Sequence, residues 1–290
     1  ADGNDEKKNR DAIPNILSDA LSVSFDNNIG HDYLLNYEER YEFYHKKEEK
    51  IEFDLEYFNK ITKGGLPNKT LNIALAGTGV GKSLFMCHVA SSVLLQGRNV
   101  LYITMEMAEE KIAERIDANL LDVSIQDLSD LPKLMFENKV TDVSKKTQGQ
   151  LIIKEYPTAG AHSGHFKTLL NELSLKKSFK PDIIFIDYLN ICASSRYRAA
   201  ANVNSYSYIK AIAEELRGLA VEANVPIVSA TQTTRSGFAS SDVDLTDTSE
   251  SFGLPATADL MFALISTEEL EGLNQIMVKQ LKNRYNDPTI

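Results

Sequence analysis

Short, almost continuously apolar segments alternate with stretches of helical periodicity from residue 71 to the end of the chain. The apolar segments predict strands at 71–75, 100–104, 151–154, 183–186, 227–230, 260–265 and 275–281, and the periodic stretches predict helices at 82–95, 108–121, 166–175 and 206–223. Strands that are apolar on both faces are typical of parallel sheets covered by helices on each side. We therefore predict an α/β fold with a mainly parallel central sheet flanked by helices. Ligands of such sheets bind at the carboxyl ends of the strands.

The composition excludes several classes of protein. Hydrophobic residues make up 43% of the 290 residues, which is typical of a globular chain and not of a disordered one. The 31 basic and 41 acidic side chains give a net charge of −10, so nucleic acid could bind only through a few locally placed Lys and Arg.

The sequence predicts no membrane segment and no framework of cysteines. No apolar run approaches the ~18 residues of a membrane span, and no charged start followed by an apolar run marks a signal peptide. Cys87 and Cys192 lie in apolar segments without the spacing of a metal site, and we expect both to be buried thiols. We expect a soluble, cytoplasmic protein, in the host cytoplasm if it is encoded by a phage.

A glycine-rich segment follows the strand predicted at 71–75 and opens the helix predicted at 82–95. It reads Ala76-Gly77-Thr78-Gly79-Val80-Gly81-Lys82-Ser83. Glycines let successive backbone N–H groups turn toward phosphates, and the helix N-terminus adds the positive end of its dipole. In such a P-loop Lys82 would reach the β- and γ-phosphates of a nucleotide, and the Ser83 hydroxyl would bind Mg²⁺. Ala76 stands where the motif usually has its first Gly, and a plain glycine turn is the alternative interpretation.

Three more polar residues stand where predicted strands end. Asp187 follows the strand at 183–186, where its carboxylate would hold Mg²⁺ indirectly beside the P-loop. Glu106 follows the strand at 100–104, where it can polarise an attacking water as general base, or else complement the dipole of the helix that begins near residue 108. Gln232 follows the strand at 227–230, where its amide could sense the γ-phosphate or be satisfied within a loop.

Two cations, Lys282 and Arg284, follow the last predicted strand at alternating positions. Side chains two residues apart in an extended chain lie on the same side, so both could reach one anion. An arginine from a neighbouring subunit can neutralise the charge that spreads over a transferring γ-phosphoryl group. A solvated surface is the alternative.

Residues 1–51 predict a linker helix and a connector, and residues 52–290 a second domain. Apolar residues of the linker recur at helical spacing and lack a partner in the neighbouring sequence. They are Ile13, Ile16, Leu17, Ala20 and Leu21. The stretch 28–50 predicts a connector with one more charged helix.

These motifs, in this order, resemble the DnaB-type replicative helicases, which belong to the RecA-like class of P-loop ATPases, and most closely the branch found in T-even phages. The resemblance covers the chain from about residue 52 to its end. It implies a RecA-like core that binds ATP and Mg²⁺ through Lys82, Ser83 and Asp187. Family members often carry Ala at the first P-loop position, which accounts for Ala76.

The resemblance also implies roles for the remaining polar residues. Glu106 would be the catalytic base, and Gln232 would sense the γ-phosphate. Arg284 would be the finger supplied in trans, with Lys282 beside it. The linker helix would pack against the adjacent subunit of a ring. A complete member would carry an N-terminal collar domain, which the sequence before Asp54 is too short to form.

The function that the resemblance implies is that of a homo-hexameric motor that moves along single-stranded DNA and unwinds the duplex at a replication fork. A primase and a helicase loader are the implied partners. Two loops after the strands would contact DNA phosphates, through Arg196, Arg198, Arg235 and Gly237. Contacts of this kind predict sequence-tolerant binding that weakens with salt.

Two other functions stay open on the sequence. One is a RecA-class ATPase of recombination or repair, and the other is an ATP-dependent ring that serves as a scaffold without translocating. His162 and His165 could suggest a metal site, but no third ligand is identifiable in the sequence, and we interpret them as helix-capping groups.

Overall fold

The computed structural model describes residues 30–46, 49–197, 203–233 and 253–287. The chain divides into two compact units, Ala1–Glu48 and Glu49–Ile290. The described residues of the first unit form helix α1, Tyr37–His45, which confirms the charged helix predicted for the connector. The predicted amphipathic linker helix lies outside the described residues, and the assignment of 1–51 as a linker stays a prediction.

The described residues of the second unit contain a seven-stranded sheet and the helices that cover it. The strands are β1 (Leu71–Ala76), β2 (Val100–Thr104), β3 (Leu151–Glu155), β4 (Ile183–Asp187), β5 (Ile227–Gln232), β6 (Leu260–Ile265) and β7 (Met277–Asn283). The helices are α2 (Glu56–Thr62), α3 (Lys82–Leu95), α4 (Glu109–Leu121), α5 (Ile125–Leu128), α6 (Lys133–Lys146), α7 (Ser163–Lys177), α8 (Ser205–Ala223), α9 (Gly253–Thr257) and α10 (Glu268–Gly272). A 3₁₀ turn covers Leu189–Ile191.

The strand order is β3-β2-β4-β5-β1-β6-β7. The first six of these strands in space are parallel, and β7 is antiparallel to β6. Thr104 lies opposite Asp187 and Ala76 lies opposite Gln232, so β2, β4, β5 and β1 end at the same edge of the sheet. The site residues predicted after these strands are therefore brought to one edge, as the pattern of strands requires.

Helices cover the sheet on both faces, because residues along each strand alternate between two buried clusters. From β1, Ala74 and Ala76 face one cluster while Leu71 and Ile73 face the other. Helices α2, α3 and α4 contribute to the first cluster, where the Phe58 ring lies 4.9 Å from the ring of Phe262 on β6. Helices α7 and α8 contribute to the second.

The predicted strands and the four helices predicted between them are present, with ends shifted by a few residues. Helix α7 begins at Ser163 because His162 accepts a hydrogen bond from the backbone of Gly164 while His165 accepts one from the backbone of His162. The capping interpretation of the two histidines is thus confirmed. Both cysteines are buried and free, and burial raises the pKa of Cys87 to about 11.

No element was predicted for residues 122–150, whereas the structure has α5 and α6 there. Helix α6 buries none of its residues, but Phe136, Val140 and Val143 recur at helical spacing, a pattern that could have predicted it. The last strand also extends further than predicted: Lys282 lies within β7 and not after it. Among the described residues, no helix has the length and apolar character needed to cross a membrane.

Candidate nucleotide-binding site

The P-loop residues connect β1 to α3 in the geometry that a phosphate-binding loop needs. Gly79 and Gly81 have φ angles of 82° and 110°, in the left-handed region that side chains with a Cβ rarely adopt. Gly81 is the N-cap of α3, so the loop leads directly into the positive end of that helix dipole. Thr78 and Gly79 are exposed, which leaves this part of the loop open to a ligand.

Lys82, the first residue of α3, points to the carboxyl edge of the sheet and is 7% exposed. Its Nζ lies 3.2 Å from Oε2 of Glu106, which follows β2, and 4.5 Å from the ring centroid of Tyr188, which follows β4. The ammonium group is therefore held between a carboxylate and an aromatic face. Phosphate oxygens would compete directly with Glu106 for this cation.

Asp187 is fully buried at the end of β4. The hydroxyl of Tyr102 donates to its Oδ2 over 3.1 Å, whereas Oδ1 has no hydrogen-bond partner in the part of the chain that the structure describes. Burial raises the pKa of Asp187, and hydrogen bonds from Ser83 and Tyr102 and the charge of Lys82 act in the opposite direction. An unpaired buried carboxylate oxygen is costly, and a hydrated divalent cation beside Ser83 would satisfy it.

Gln232 ends β5, and its Nε2 donates to the hydroxyl of Tyr188 over 3.2 Å. Tyr188 thus contacts both Gln232 and Lys82, two of the residues predicted to bind phosphate. Tyr188 and Tyr102 were not predicted as site residues. Tyr188 adjoins Asp187 in the sequence, and Tyr102 is a polar residue within an apolar strand. Either feature could have identified them as site residues.

Lys282 and Arg284 do not lie at this edge. Because β7 is antiparallel to β6, Asn283 pairs with Leu260 at the opposite, amino edge of the parallel strands. Lys282 donates to the backbone oxygens of Pro255 and Ala256 in α9, and Arg284 donates to Ala256 O over 2.9 Å. The two cations thus contact the same backbone oxygen, as their predicted position on one side of the strand allows. They lie at the amino edge of the sheet, whereas the P-loop of the same chain lies at the carboxyl edge.

Arg196, predicted to bind DNA, lies after the 3₁₀ turn that follows β4. Its guanidinium pairs with Glu214 on α8. The adjacent Glu215 accepts hydrogen bonds from the Ser194 hydroxyl and the Ser195 backbone, over 2.6 and 2.9 Å. The beginning of this loop is therefore fixed to α8. The other predicted DNA contacts, Arg198, Arg235 and Gly237, lie outside the described residues.

Residues 51–285 match the family model of the DnaB-like helicase C terminal domain. The chain belongs to this family. It is 50% identical over 290 residues to the DnaB-like replicative helicase of Enterobacteria phage T4, which covers 97% of this chain and 61% of the phage protein. The predicted family is thereby confirmed, and the chain spans less than two thirds of that relative.

Two solved structures have the same fold. One is a DnaB-like replicative helicase, described with its interactions with primase, which matches with a TM-score of 0.69 and 19% identity over 94% of this chain and 66% of that chain. The other is an isolated ATPase domain, with a TM-score of 0.69 and 17% identity over 88% of this chain and 90% of that chain. The predicted RecA-like α/β fold is confirmed.

Proposed function

We propose that this DnaB-family chain is the motor part of an ATP-dependent replicative DNA helicase that works as a homo-hexameric ring. The observation that supports an ATPase most directly is the meeting of Lys82, Glu106, Asp187 and Gln232 at one edge of the sheet beside the P-loop. Because the chain belongs to a helicase family, we propose that ATP hydrolysis at this site drives the unwinding of duplex DNA at a replication fork.

In this proposal the nucleotide triphosphate binds along the backbone N–H groups of residues 77–81. Lys82 and the N-terminus of α3 hold its negative charge, and Ser83 with Asp187 would hold Mg²⁺. The metal would neutralise charge on the β- and γ-phosphates. Glu106 accepts the proton of the attacking water, for which it must first be released from Lys82.

Gln232 and the trans cations complete the proposed site. Gln232 lies where its amide can respond to the γ-phosphate, and its bond to Tyr188 links it to Lys82. Lys282 and Arg284 lie at the amino edge of the sheet, opposite to the edge that carries their own P-loop. We therefore assign them to the nucleotide of the adjacent subunit. Six such shared sites would close a ring, because a head-to-tail interface with closing rotation forms one.

The proposed track is single-stranded DNA within the ring. Arg196 and the undescribed Arg198, Arg235 and Gly237 would contact its phosphates, so binding would weaken steeply with salt. Arg196 would first have to leave Glu214. A primase and a helicase loader are the proposed partners. One solved relative is described with its interactions with primase, which supports the first of these. The proposed location is the cytoplasm of the host cell.

Subunit mixing tests the shared site. We expect Lys82→Ala and Arg284→Ala each to abolish ATP turnover, the first by removing the cation that holds the phosphates and the second while leaving nucleotide binding nearly intact. A mixture of the two should regain activity, because about a quarter of the interfaces in a randomly mixed ring combine an intact P-loop with an intact arginine. An inactive mixture of correctly assembled subunits would refute the trans assignment.

The effect of DNA on the ATPase rate separates the alternatives. Stimulation by single-stranded DNA favours a translocating motor, whereas a rate that ignores DNA would favour a scaffold ring. Electron microscopy with a non-hydrolysable ATP analogue then distinguishes closed rings from the filaments expected of a RecA-class repair ATPase.

A further inference from the structure

Asp259 is a buried carboxylate at the amino edge of the sheet, far from the P-loop. It immediately precedes β6 and is 4% exposed. Its Oδ2 accepts a hydrogen bond of 3.0 Å from the backbone N–H of Leu71, the first residue of β1. A buried ion of this kind requires charged partners, since a carboxylate without them would be protonated or displaced.

Two arginines supply that charge. Arg217, on α8, binds in a bidentate manner, with Nε 3.2 Å from Oδ2 and Nη2 3.2 Å from Oδ1. Arg284 donates from Nη1 to Oδ1 over 3.0 Å, and its backbone N–H donates to Asp259 O over 2.9 Å. A bidentate pair fixes the plane of a carboxylate. Arg217 therefore fixes the position of Oδ1, the oxygen that accepts the hydrogen bond from Arg284.

The second half of the Arg284 guanidinium is held as well. Its Nη2 donates to Ala256 O near the end of α9, and Lys282 donates to the same oxygen over 3.3 Å. Carbonyls in the last turn of a helix lack partners within the helix, which makes them good acceptors for cations. Arg284 is therefore fixed at two points, one on Asp259 and one on α9.

This arrangement orients Arg284 without neutralising the cluster. Among the described residues, one carboxylate contacts two guanidinium groups here, and Lys282 adds a third positive charge. The side chains of Arg217 and Arg284 are 38% and 45% exposed and line a common cleft of about 340 Å³. Glu214 also lines this cleft, but its carboxylate contacts Arg196 and Lys210. The excess of positive charge suits an anion that enters from outside.

We propose that Asp259 is the positioning residue for the trans arginine: with Arg217, it presents the Arg284 guanidinium to the phosphates of a nucleotide bound by a second copy of the chain. The inference rests on the proposed function, in which Arg284 serves the adjacent subunit. Asp259 itself touches no nucleotide, because it lies behind the two arginines. Asp259 acts by fixing the orientation of the Arg217 and Arg284 guanidinium groups.

The test uses Asp259→Asn in the full chain. The amide keeps an oxygen that can accept from Leu71 N and keeps the volume of the side chain, but it loses the charge that orients the arginines. We expect ATP turnover to fall roughly 10- to 100-fold, a part of the ~10³–10⁵ attributed to an arginine finger. The affinity for a fluorescent ATP analogue and the size of the assembly in its presence should stay unchanged.

Subunit mixing assigns the defect to one side of the interface. Asp259→Asn should regain turnover when mixed with Lys82→Ala, which supplies an intact arginine side. It should regain none with Arg284→Ala, because both subunits then lack that side. A subunit that is merely misfolded would regain activity with neither partner, so the asymmetry is specific to positioning.

A matched control makes the same change at a carboxylate that accepts from a backbone N–H but does not contact an arginine among the described residues. Asp182 accepts a hydrogen bond of 2.7 Å from the backbone of Asn99, before β2, and contacts no arginine among the described residues. Asp182→Asn should keep full turnover in every mixture. If Asp259→Asn does not fold, Arg217→Gln is the second variant, and we expect it to show the same asymmetry with a smaller loss.

The outcomes separate this inference from the proposed function. If Lys82→Ala and Arg284→Ala fail to complement each other, the shared site itself is wrong. If they complement each other but folded Asp259→Asn or Arg217→Gln keeps full turnover, or regains it with Arg284→Ala, the positioning role is overturned.

Discussion

The hydroxyl of Tyr102 is buried beneath the nucleotide-binding site, where it connects two groups of different chemistry. It donates to Oδ2 of Asp187 over 3.1 Å and lies 3.8 Å from Sγ of Cys87. Burial raises the pKa of Tyr102 well above its ordinary value, and the neighbouring Asp187 charge raises it further. The hydroxyl therefore stays protonated and is a dedicated donor to the carboxylate. Tyr102→Phe removes this donor, together with the weaker acceptor that the hydroxyl offers to the Cys87 thiol.

The size of the loss depends on the charge of Asp187. A hydrogen bond between neutral groups contributes about 0.5–1.5 kcal/mol to stability, and one to a charged group about 1.5–3 kcal/mol. Because Oδ1 of Asp187 has no hydrogen-bond partner among the described residues, loss of the bond to Oδ2 leaves Ser83 and the charge of Lys82 to stabilise the carboxylate. We expect Tyr102→Phe to lower the free energy of unfolding by about 2 kcal/mol.

Urea unfolding at neutral pH, without nucleotide or metal, measures this difference. Tyr285→Phe is the matched control, since its hydroxyl donates to the neutral Oδ1 of Asn72 over 2.6 Å at the opposite edge of the sheet. Its expected cost is about 1 kcal/mol, the value for a neutral pair. The comparison cancels the general effect of removing a tyrosine hydroxyl.

A Tyr102→Phe loss of unfolding free energy no larger than that of Tyr285→Phe would contradict a charged Asp187. It would mean that Asp187 is neutral before ligand binding, so that burial outweighs Ser83, Tyr102 and Lys82 together. A stabilised variant would mean that the hydroxyl itself is poorly satisfied at this position.

Two other substitutions test separate parts of the molecule. Glu106→Gln should leave nucleotide binding intact and lower ATP turnover by ~10²–10⁴-fold, as expected for loss of a general base. Glu109→Gln is the nearby control in a steady-state assay of ATP turnover. An equal loss in both variants would contradict the role of Glu106 as the base. Glu215 has a pKa lowered by hydrogen bonds from Ser194 and Ser195, although burial alone acts to raise it. Its stabilising effect is therefore complete above its ordinary pKa of 4.5 and is lost as the pH falls through the lower folded value. The difference in unfolding free energy between the native chain and Glu215→Gln should be constant at neutral pH and shrink below pH 4.5, and a difference that grows in acid would be contrary to this.

The fold was predictable because its determinants are local and repeated. The strands of the parallel sheet are mostly apolar, as the run at 183–186 shows. A strand that is apolar along its whole length is stable when both of its faces are buried, which a parallel sheet covered by helices provides. The predicted position of the phosphate site follows from the same pattern, since the carboxyl ends of parallel strands share an edge. The P-loop sequence predicts a phosphate ligand at that edge.

The contacts made by side chains across the sheet were not predictable in the same way. Tyr188 reaches Lys82 and Gln232, and Asp259 reaches Arg217, only because distant segments are brought together by the fold. Nothing in the spacing of these residues along the chain encodes such contacts. Helix α6 is a different case, because Phe136, Val140 and Val143 recur at helical spacing and could have predicted it.

In the proposed function, the direction of β7 explains why two chains would share one site. Had the last strand run parallel to its neighbours, Lys282 and Arg284 would end at the same edge as Lys82, and one subunit could supply both halves. Because β7 is antiparallel to β6, the two cations lie at the amino edge instead. Along β1, the four residue steps from Asn72 to Ala76 already separate the two edges by about 13 Å, at ~3.3 Å per residue. The proposed phosphate-binding half and the proposed arginine half therefore lie at opposite edges of the sheet, and a second copy of the chain would bring them together. Asp259 and α9 fit this division, because they fix the arginine half in a single chain before any partner is bound.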